Sequence, residues 1–246
     1  MALRSLAGGS LFAEAIGVSS PTVLALHGWG RRGSDFTNSL VSFGALAVDL
    51  PGFGATPPPT EVWGAREYAR TLRPVLEEFA SPPLVVGHSF GGRIAVCLAA
   101  EFPDLVGQLL VTGAPLVRIS SGRKPSLQFR LARKLNDLSL LGDGTIEKMR
   151  RNRGSADYRA ATGIMRDILV RLVNEEYHDE LARQLKPVKL LWGENDTEVP
   201  VAVAKAAAEL ILAGGGDADI EIVEGVGHLL PTSAPDSLRT AVGALI

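Results

Sequence analysis

Short runs of apolar and β-branched residues recur along the chain, separated by stretches with helical periodicity. Most of these runs are apolar at every position rather than at alternate ones, which is typical of strands covered by helices on both faces. The pattern predicts eight strands, at residues 3–7, 11–16, 22–26, 45–48, 84–86, 109–111, 189–192 and 220–223. The first two are predicted to form a hairpin that turns at Gly8-Gly9-Ser10.

Helical periodicity predicts four helices between these strands, at residues 65–79, 91–101, 201–212 and 235–245. A chain that alternates strands with helices builds a parallel sheet, because right-handed crossovers place each helix over the sheet. The predicted fold class is therefore α/β, with a doubly wound, mostly parallel eight-stranded sheet.

One long stretch, from residue 116 to residue 187, breaks this rhythm, because it contains helical and polar segments and no strand pattern. We interpret it as a helical cap inserted into one α/β core, which consists of residues 1–115 and 188–246. The length of 246 residues suits one domain with a modest insertion.

The composition excludes several classes of protein. Hydrophobic residues make up 46% of the chain and the formal net charge is −2, which argues against disorder and against a nucleic-acid binder. No apolar run approaches the roughly 18 residues that a membrane span needs.

The single cysteine, Cys97, cannot form an internal disulfide and is expected to be buried and inert. Because Gly8, Gly9 and Glu14 interrupt the apolar core that a signal peptide requires, we expect a cytoplasmic protein.

The segment Gly87-His88-Ser89-Phe90-Gly91 has the pattern G-x-S-x-G and lies between an apolar strand and an apolar helix. A turn this sharp brings the residues before and after the serine together, so that only very small side chains fit at positions 87 and 91. The turn also lifts the Ser89 hydroxyl clear of the backbone at a helix N-terminus, where the helix dipole favours negative charge. Ser89 is therefore the candidate nucleophile, with a purely structural turn as the alternative.

A serine hydroxyl needs a base near neutral pH, and the base needs an acid that orients it. His228 follows the last strand, in a loop at the edge of the sheet where active sites of α/β proteins collect, and it is the predicted base. His27 and His88 lie beside strand ends and are expected to brace turns by hydrogen bonding. His178 lies among acidic residues of the predicted cap and is expected to face solvent.

The orienting acid is expected between Ser89 and His228 in chain order. The loop after the strand at 189–192 offers three carboxylates. Asp196 is the predicted acid, because its short side chain can hold an imidazole in one orientation. Glu194 is the alternative, and Glu194 and Glu198 are otherwise interpreted as polar residues that face solvent.

These motifs together resemble the α/β-hydrolase fold superfamily, and within it the compact capped group of carboxylesterases, C–C bond hydrolases and haloperoxidase-like esterases. The matching segments are His27-Gly28-Trp29-Gly30, Asp49-Leu50-Pro51-Gly52-Phe53-Gly54, the turn around Ser89, Trp192-Gly193-x-x-Asp196-x-x-x-Pro200 and Gly227-His228. The resemblance implies a catalytic triad of Ser89, Asp196 and His228. It also implies an oxyanion hole made by the backbone N–H groups of Trp29 and Phe90.

The activity that the resemblance implies is cleavage of a carboxylic ester or thioester of a small to medium acyl substrate through an acyl-enzyme intermediate. Two alternatives stay open: hydrolysis of a C–C bond in a ring-cleavage product, and a ligand-binding receptor or scaffold with little turnover. The motifs are also similar to those of pimeloyl-acyl-carrier-protein methyl ester esterases. No cofactor and no metal are expected, because the histidines are scattered, the cysteine is alone and no glycine-rich phosphate loop is present.

The predicted cap differs from the rest of the chain in charge. Residues 116–187 contain fifteen Lys and Arg against nine Asp and Glu, a net charge of +6, whereas the remaining residues carry −8. A basic cap suits an anionic substrate or an acidic carrier protein, although basic residues on cap helices usually do no more than keep the helices solvated. We expect a small-molecule ester substrate, an acyl-carrier protein as a further candidate partner, and neither nucleic acid nor membrane.

This charge asymmetry predicts a salt effect that depends on the substrate. Attraction of an acidic substrate to the cap is screened over about 8 Å at physiological ionic strength. The kcat/KM for an acidic ester should therefore fall steeply as salt is raised, and that for a neutral ester of equal chain length should barely move. Replacing Arg150, Arg151 and Arg153 together with glutamine should flatten the salt dependence of the acidic ester. Equal salt slopes for the two esters would mean that the basic residues only keep the cap soluble.

Overall fold

The computed structural model describes residues 2–17, 19–119 and 156–246. Its strands are β1 (Ala2–Leu6), β2 (Leu11–Ile16), β3 (Val23–Leu26), β4 (Ala45–Asp49), β5 (Leu84–His88), β6 (Gln108–Thr112), β7 (Val188–Gly193) and β8 (Ala218–Val223). They form one eight-stranded sheet in the order β1-β2-β4-β3-β5-β6-β7-β8. The pairs β1–β2 and β2–β4 are antiparallel and the others are parallel. The predicted fold class is confirmed.

Nine α-helices lie in the described ranges. They are α1 (Thr37–Leu40), α2 (Ala65–Leu76), α3 (Phe90–Glu101), α4 (Ala156–Ala160), α5 (Gly163–Leu172), α6 (His178–Ala182), α7 (Val201–Ala213), α8 (Leu230–Ser233) and α9 (Pro235–Gly243). Short 3-10 turns occur at Ala7–Gly9, Gly33–Phe36 and Pro103–Leu105. No helix within these ranges has the length and apolarity that a membrane span requires.

Several element ends differ from the prediction. The predicted helix at 65–79 ends at Leu76, because the N–H groups of Glu78 and Phe79 bond three residues back, in tight turns. Strands β5 and β6 both run past their last predicted residues, since His88 still pairs with Thr112 across the sheet. Helices α1 and α8 are only four residues long and were not predicted, because so short a segment shows no periodicity.

Two hydrophobic cores lie on the two faces of the sheet, and β3 shows how the strands divide between them. Leu24 and Leu26 face one core, with helices α2, α3 and α7, whereas Val23 and Ala25 face the other, with α1 and α9. Successive residues of a strand point to opposite faces, so a strand covered on both sides must be apolar throughout. This explains the unbroken apolar runs of the sequence.

Part of the predicted cap packs on this core. The Arg171 guanidinium of α5 donates to the backbone oxygen of Val62 at 2.7 Å and to the carboxylate of Glu67 at 2.7 Å. Arg93 of α3 donates to the backbone oxygen of Leu172 at 2.6 Å. Helix α5 is therefore held against α2 and α3. The rest of the predicted cap, residues 120–155, lies outside the described residues, and the domain boundaries stay a prediction.

A buried carboxylate joins the loops that follow β3 and β4. Asp49 is 6% exposed; its Oδ1 accepts the Gly33 N–H at 2.9 Å and its Oδ2 accepts the Ala55 N–H at 2.8 Å. Gly54 has a φ of +55°, and a Cβ there would lie 2.0 Å from Asp49 Oδ2. The glycine is required because the loop folds tightly over the carboxylate.

The Asp49→Asn variant should be less stable than the wild type. The amide nitrogen of Asn faces one of the two backbone N–H groups and cannot accept its hydrogen. One buried donor is left unpaired, so urea denaturation should show a loss of about 1–3 kcal/mol in the free energy of unfolding. Asp104→Asn, at an exposed site, is the control and should change stability by less than about 0.5 kcal/mol. Equal stability of the two variants would contradict the role given to Asp49.

Candidate active site

The turn between β5 and α3 places Ser89 in an unusual backbone conformation, with φ 51° and ψ −108°. The Ser89 N–H bonds to the Thr112 oxygen at 2.9 Å, which holds this turn to β6. A Cβ on Gly87 would lie 2.6 Å from the Gly91 oxygen, and one on Gly91 would lie 2.1 Å from the Leu26 oxygen. The close packing explains the two glycines, and it sustains the backbone strain at the serine.

The structure brings Ser89, His228 and Asp196 into one chain of hydrogen bonds. His228 Nε2 lies 3.1 Å from Ser89 Oγ, and His228 Nδ1 lies 2.8 Å from Asp196 Oδ2. A carboxylate only accepts hydrogen bonds, so Nδ1 carries the hydrogen and donates it to Asp196. Nε2 then keeps its lone pair for the serine hydroxyl, which is the arrangement of a nucleophile with its base.

Asp196 is fixed by its own loop. Its side chain is 1% exposed, and Oδ1 accepts the N–H groups of Glu198 at 3.0 Å and Val199 at 2.8 Å. The Trp192 indole, itself buried, donates to the Val199 oxygen at 2.8 Å. Glu194 instead is exposed and accepts the Gly225 N–H at 3.0 Å. Of the two carboxylates considered from the sequence, Asp196 is the one that contacts His228.

Two buried histidines brace the surrounding turns, as expected from the sequence. His88 Nε2 donates to the backbone oxygen of His228 at 3.0 Å. His27 Nε2 accepts the Leu50 N–H at 3.0 Å, and its Nδ1 donates to the Gly28 oxygen at 2.7 Å. Burial lowers the pKa of His88 to about 3 and that of His27 to about 4. Both rings are therefore neutral near pH 7 and act as fixed hydrogen-bonding groups.

Opposing effects set the proton affinity of His228. Burial lowers its pKa, but the hydrogen bond and charge of Asp196, together with the charges of Glu198 and Asp157, raise the pKa above its ordinary value. Glu198 Oε2 lies 3.8 Å from His228 Nε2. The sequence interpretation of Glu198 as a solvent-facing residue missed this contact. The only sign of this contact in the sequence is that Glu198 lies two residues after the predicted acid, Asp196.

Two backbone amides beside Ser89 lack a hydrogen-bond partner among the described residues: those of Trp29 and Phe90. The two rings lie 5.4 Å apart, so the residues are neighbours. Phe90 is the first residue of α3, and its N–H points out of the positive end of the helix. Such amides suit an oxygen that acquires negative charge.

These residues belong to a group of packed aromatic rings, here called the aromatic wall, which consists of Trp29, Phe53, Tyr68 and Phe90. Half-buried Phe53 packs edge-on against the Trp29 ring at 5.0 Å, and Tyr68 packs in the same way against Phe90 at 5.0 Å. The thioether of Met165, from α5, approaches Gly52 so closely that a Cβ there would lie 2.4 Å from its sulfur. Tyr68 and Phe90 are buried in this wall, whereas Trp29 and Phe53 are partly exposed.

Gly113, just after β6, is a further residue whose role the sequence analysis missed. It has a φ of +56°, and a Cβ there would lie 3.1 Å from His228 Cε1 and 3.3 Å from Asp196 Oδ2. A larger residue would crowd the pair, so the glycine leaves room for it. The sequence could have indicated this role, because Gly113 directly follows a strand that lies between Ser89 and Asp196 in chain order.

A metal site is not evident in the parts of the chain that the structure describes: no three His, Cys, Asp or Glu side chains there could hold an ion. Cys97 is buried, as expected, and burial raises the pKa of its thiol. His178 of α6 is half exposed, with Nδ1 3.6 Å from Glu176 Oε2, in agreement with its expected solvent-facing position.

Comparison with known proteins finds hydrolases among the relatives of this chain. A pimeloyl-[acyl-carrier protein] methyl ester esterase of Chromobacterium violaceum is 31% identical over 233 residues, covering 93% of this chain and 87% of that protein. A 2-hydroxy-6-oxononadienedioate/2-hydroxy-6-oxononatrienedioate hydrolase of Cupriavidus pinatubonensis is 28% identical, covering 86% and 82%. An esterase of Mycobacterium tuberculosis is 41% identical over 112 residues, which are 42% of this chain and 36% of that protein. The family model described as the alpha/beta hydrolase family matches residues 23–241, and the chain therefore belongs to the alpha/beta hydrolase family.

Proposed function

We propose that the protein is a serine hydrolase that cleaves a carboxylic ester or thioester through an acyl-enzyme intermediate. The observation that carries the proposal is the chain of hydrogen bonds from Asp196 through His228 to Ser89 Oγ. Two of the relatives described above are named esterases. The substrate is an acyl compound of small to medium size.

In the first half of the reaction the serine is acylated. Ser89 Oγ bonds to the substrate carbonyl carbon while His228 Nε2 takes the hydroxyl proton. Asp196, accepting the Nδ1–H at 2.8 Å, stabilises the imidazolium that results. The carbonyl oxygen becomes negative and is bound by the N–H groups of Trp29 and Phe90. Nε2 then gives its proton to the leaving oxygen or sulfur, and the bond from that atom to the carbonyl carbon breaks.

Water completes the cycle. His228 Nε2 takes a proton from a water molecule, whose oxygen bonds to the acyl carbon. The Ser89 Oγ–carbon bond then breaks, and the proton returns from Nε2 to Oγ as the carboxylic acid leaves. The same two amides bind the oxyanion in this half. Every proton in the cycle passes through one nitrogen, which explains why both the tautomer and the orientation of His228 must be fixed.

The aromatic wall supports an apolar acyl group. Trp29 and Phe53 are half-buried, so their faces can contact a bound substrate, and each buried methylene contributes about 0.8 kcal/mol to binding. An acidic acyl-carrier protein remains a proposed partner, supported by the basic charge of residues 116–187. The salt comparison described above tests it.

Hydrolysis of a C–C bond is the second candidate function, because one full-length relative is named for a 2-hydroxy-6-oxononadienedioate substrate. The same serine and base serve both reactions, but the leaving atom is carbon. A dienol acid also needs polar groups that bind its carboxylates. Among the described residues, the rings of Trp29 and Phe53 supply no charged group of this kind, and this supports the ester as the first candidate.

Replacing the nucleophile tests the proposal. Purified protein should hydrolyse members of a panel of p-nitrophenyl esters and thioesters faster than ring-cleavage products. Ser89→Ala should abolish nearly all of this activity, leaving at most about 10³-fold over the uncatalysed rate. Circular dichroism and thermal unfolding should be unchanged, since the only loss is one small, partly exposed hydroxyl. A variant that keeps a tenth of the wild-type kcat would exclude Ser89 as the nucleophile, and faster turnover of ring-cleavage products would favour the second candidate.

A pair of amide substitutions tests the acid. Asp196→Asn keeps the shape but favours the wrong tautomer of His228, and kcat should fall on the order of 10⁴-fold. Glu194→Gln removes the same charge from the same loop and should change kcat less than about twofold, because the Glu194 carboxylate accepts the Gly225 N–H and does not contact His228. If Glu194→Gln were the damaging change, the acid would have been placed two residues too late.

A further inference from the structure

Glu198 lies closer to the reacting atoms than its exposure suggests. It follows Asp196 in the loop between β7 and α7, and its N–H bonds to Asp196 Oδ1 at 3.0 Å. Its carboxylate Oε2 lies 3.8 Å from His228 Nε2, although 68% of the side chain is exposed. The backbone of Glu198 is thus held by the same carboxylate that orients the base, while its own carboxylate faces the space where substrate reacts.

The leaving group must pass through this space. To receive its proton, the leaving oxygen must come within about 3 Å of Nε2. The carboxylate of Glu198 then lies no farther than about 7 Å from that oxygen. A charge on the alcohol part of the ester interacts directly with this carboxylate when the two lie within about 8 Å of each other, the screening length at physiological ionic strength.

A second acidic residue adds to the negative electrostatic potential near His228. Asp157, exposed on α4, has an Oδ1 that would lie 3.8 Å from a Cβ on Gly30, in the loop after β3. Its charge acts on His228 in the same direction as that of Glu198. Arg31, the next residue of that loop, is paired with Asp35. Glu198 and Asp157 therefore both add negative charge near His228.

We propose that Glu198 is a specificity-determining residue that favours a cationic leaving group and disfavours an anionic one. The inference rests on the proposed ester hydrolysis and extends it to the alcohol part of the substrate. It differs from the predicted attraction of the cap for acidic substrates, which acts over longer distances. Glu198 would act at short range instead, because its Oε2 lies 3.8 Å from the nitrogen that gives the leaving group its proton.

Three butyrate esters of similar size separate charge from shape. They are the ester of choline, which is cationic; that of 3,3-dimethylbutanol, which is neutral; and that of isethionate, which is anionic. The kcat/KM of each is measured at an ionic strength of about 0.15 M for the wild type, Glu198→Gln and Glu194→Gln. The last variant is the matched control, because it removes one charge from the same loop at a site that contacts Gly225 instead of His228.

Glu198→Gln should lower kcat/KM for the choline ester about threefold to fivefold relative to the neutral ester, as expected for loss of one partly exposed ionic interaction. It should raise kcat/KM for the isethionate ester by a similar factor. A purely structural role would change all three esters equally, and a general charge effect would appear in Glu194→Gln as well. Either of these results overturns the inference while leaving ester hydrolysis intact. Absence of hydrolysis of every ester would overturn the proposed function, and the inference with it.

Discussion

The candidate site depends on one buried carboxylate. Asp196 binds its own loop through Oδ1 and His228 through Oδ2, so a rigid turn sets the orientation and the tautomer of the imidazole. That tautomer leaves Nε2 as an acceptor for the Ser89 hydroxyl. The position of Glu198 follows from the same turn, because its N–H is one of the two that Asp196 accepts.

The sheet explains how residues far apart in sequence meet. Strands β5, β6, β7 and β8 are neighbours and parallel, so their carboxyl ends lie on one edge. Ser89 follows β5, Asp196 follows β7, and His228 follows β8. The residue after β6 lies between them, and Gly113 leaves its space to the His–Asp pair. Gly113 takes no part in the proposed chemistry, but glycine is favoured at this position because His228 and Asp196 occupy the space around it.

The sequence predicted the parts of the molecule that depend on local patterns. All eight strands were predicted. The central strands β3, β4 and β5 show unbroken apolar runs because both of their faces are covered, whereas the edge strands β1 and β8 have exposed positions. The turn at Ser89 was predicted because its glycines are required sterically. His228 was identified from its place after the last strand. The choice between Asp196 and Glu194 could not be made with certainty from local pattern, since it depends on which side chain of a loop turns inward. Glu198 is exposed, as expected, but its contact with His228 was missed for the same reason: one turn directs Asp196 inward and brings the Glu198 carboxylate within 3.8 Å of His228 Nε2.

In the proposed reaction, the carboxylates near His228 have two effects that oppose each other. By raising the pKa of His228, Asp196 and Glu198 strengthen the base that takes the proton of Ser89. The same stronger base returns its proton less readily to the leaving group. Asp196 is buried and is needed for orientation, so its contribution is fixed by the structure. Glu198 is exposed and makes no hydrogen bond to the ring, so its charge can be varied in evolution without disturbing the geometry. In the proposed reaction, a change of charge at Glu198 would therefore leave the geometry of Ser89, His228 and Asp196 in place, while lowering the pKa of His228.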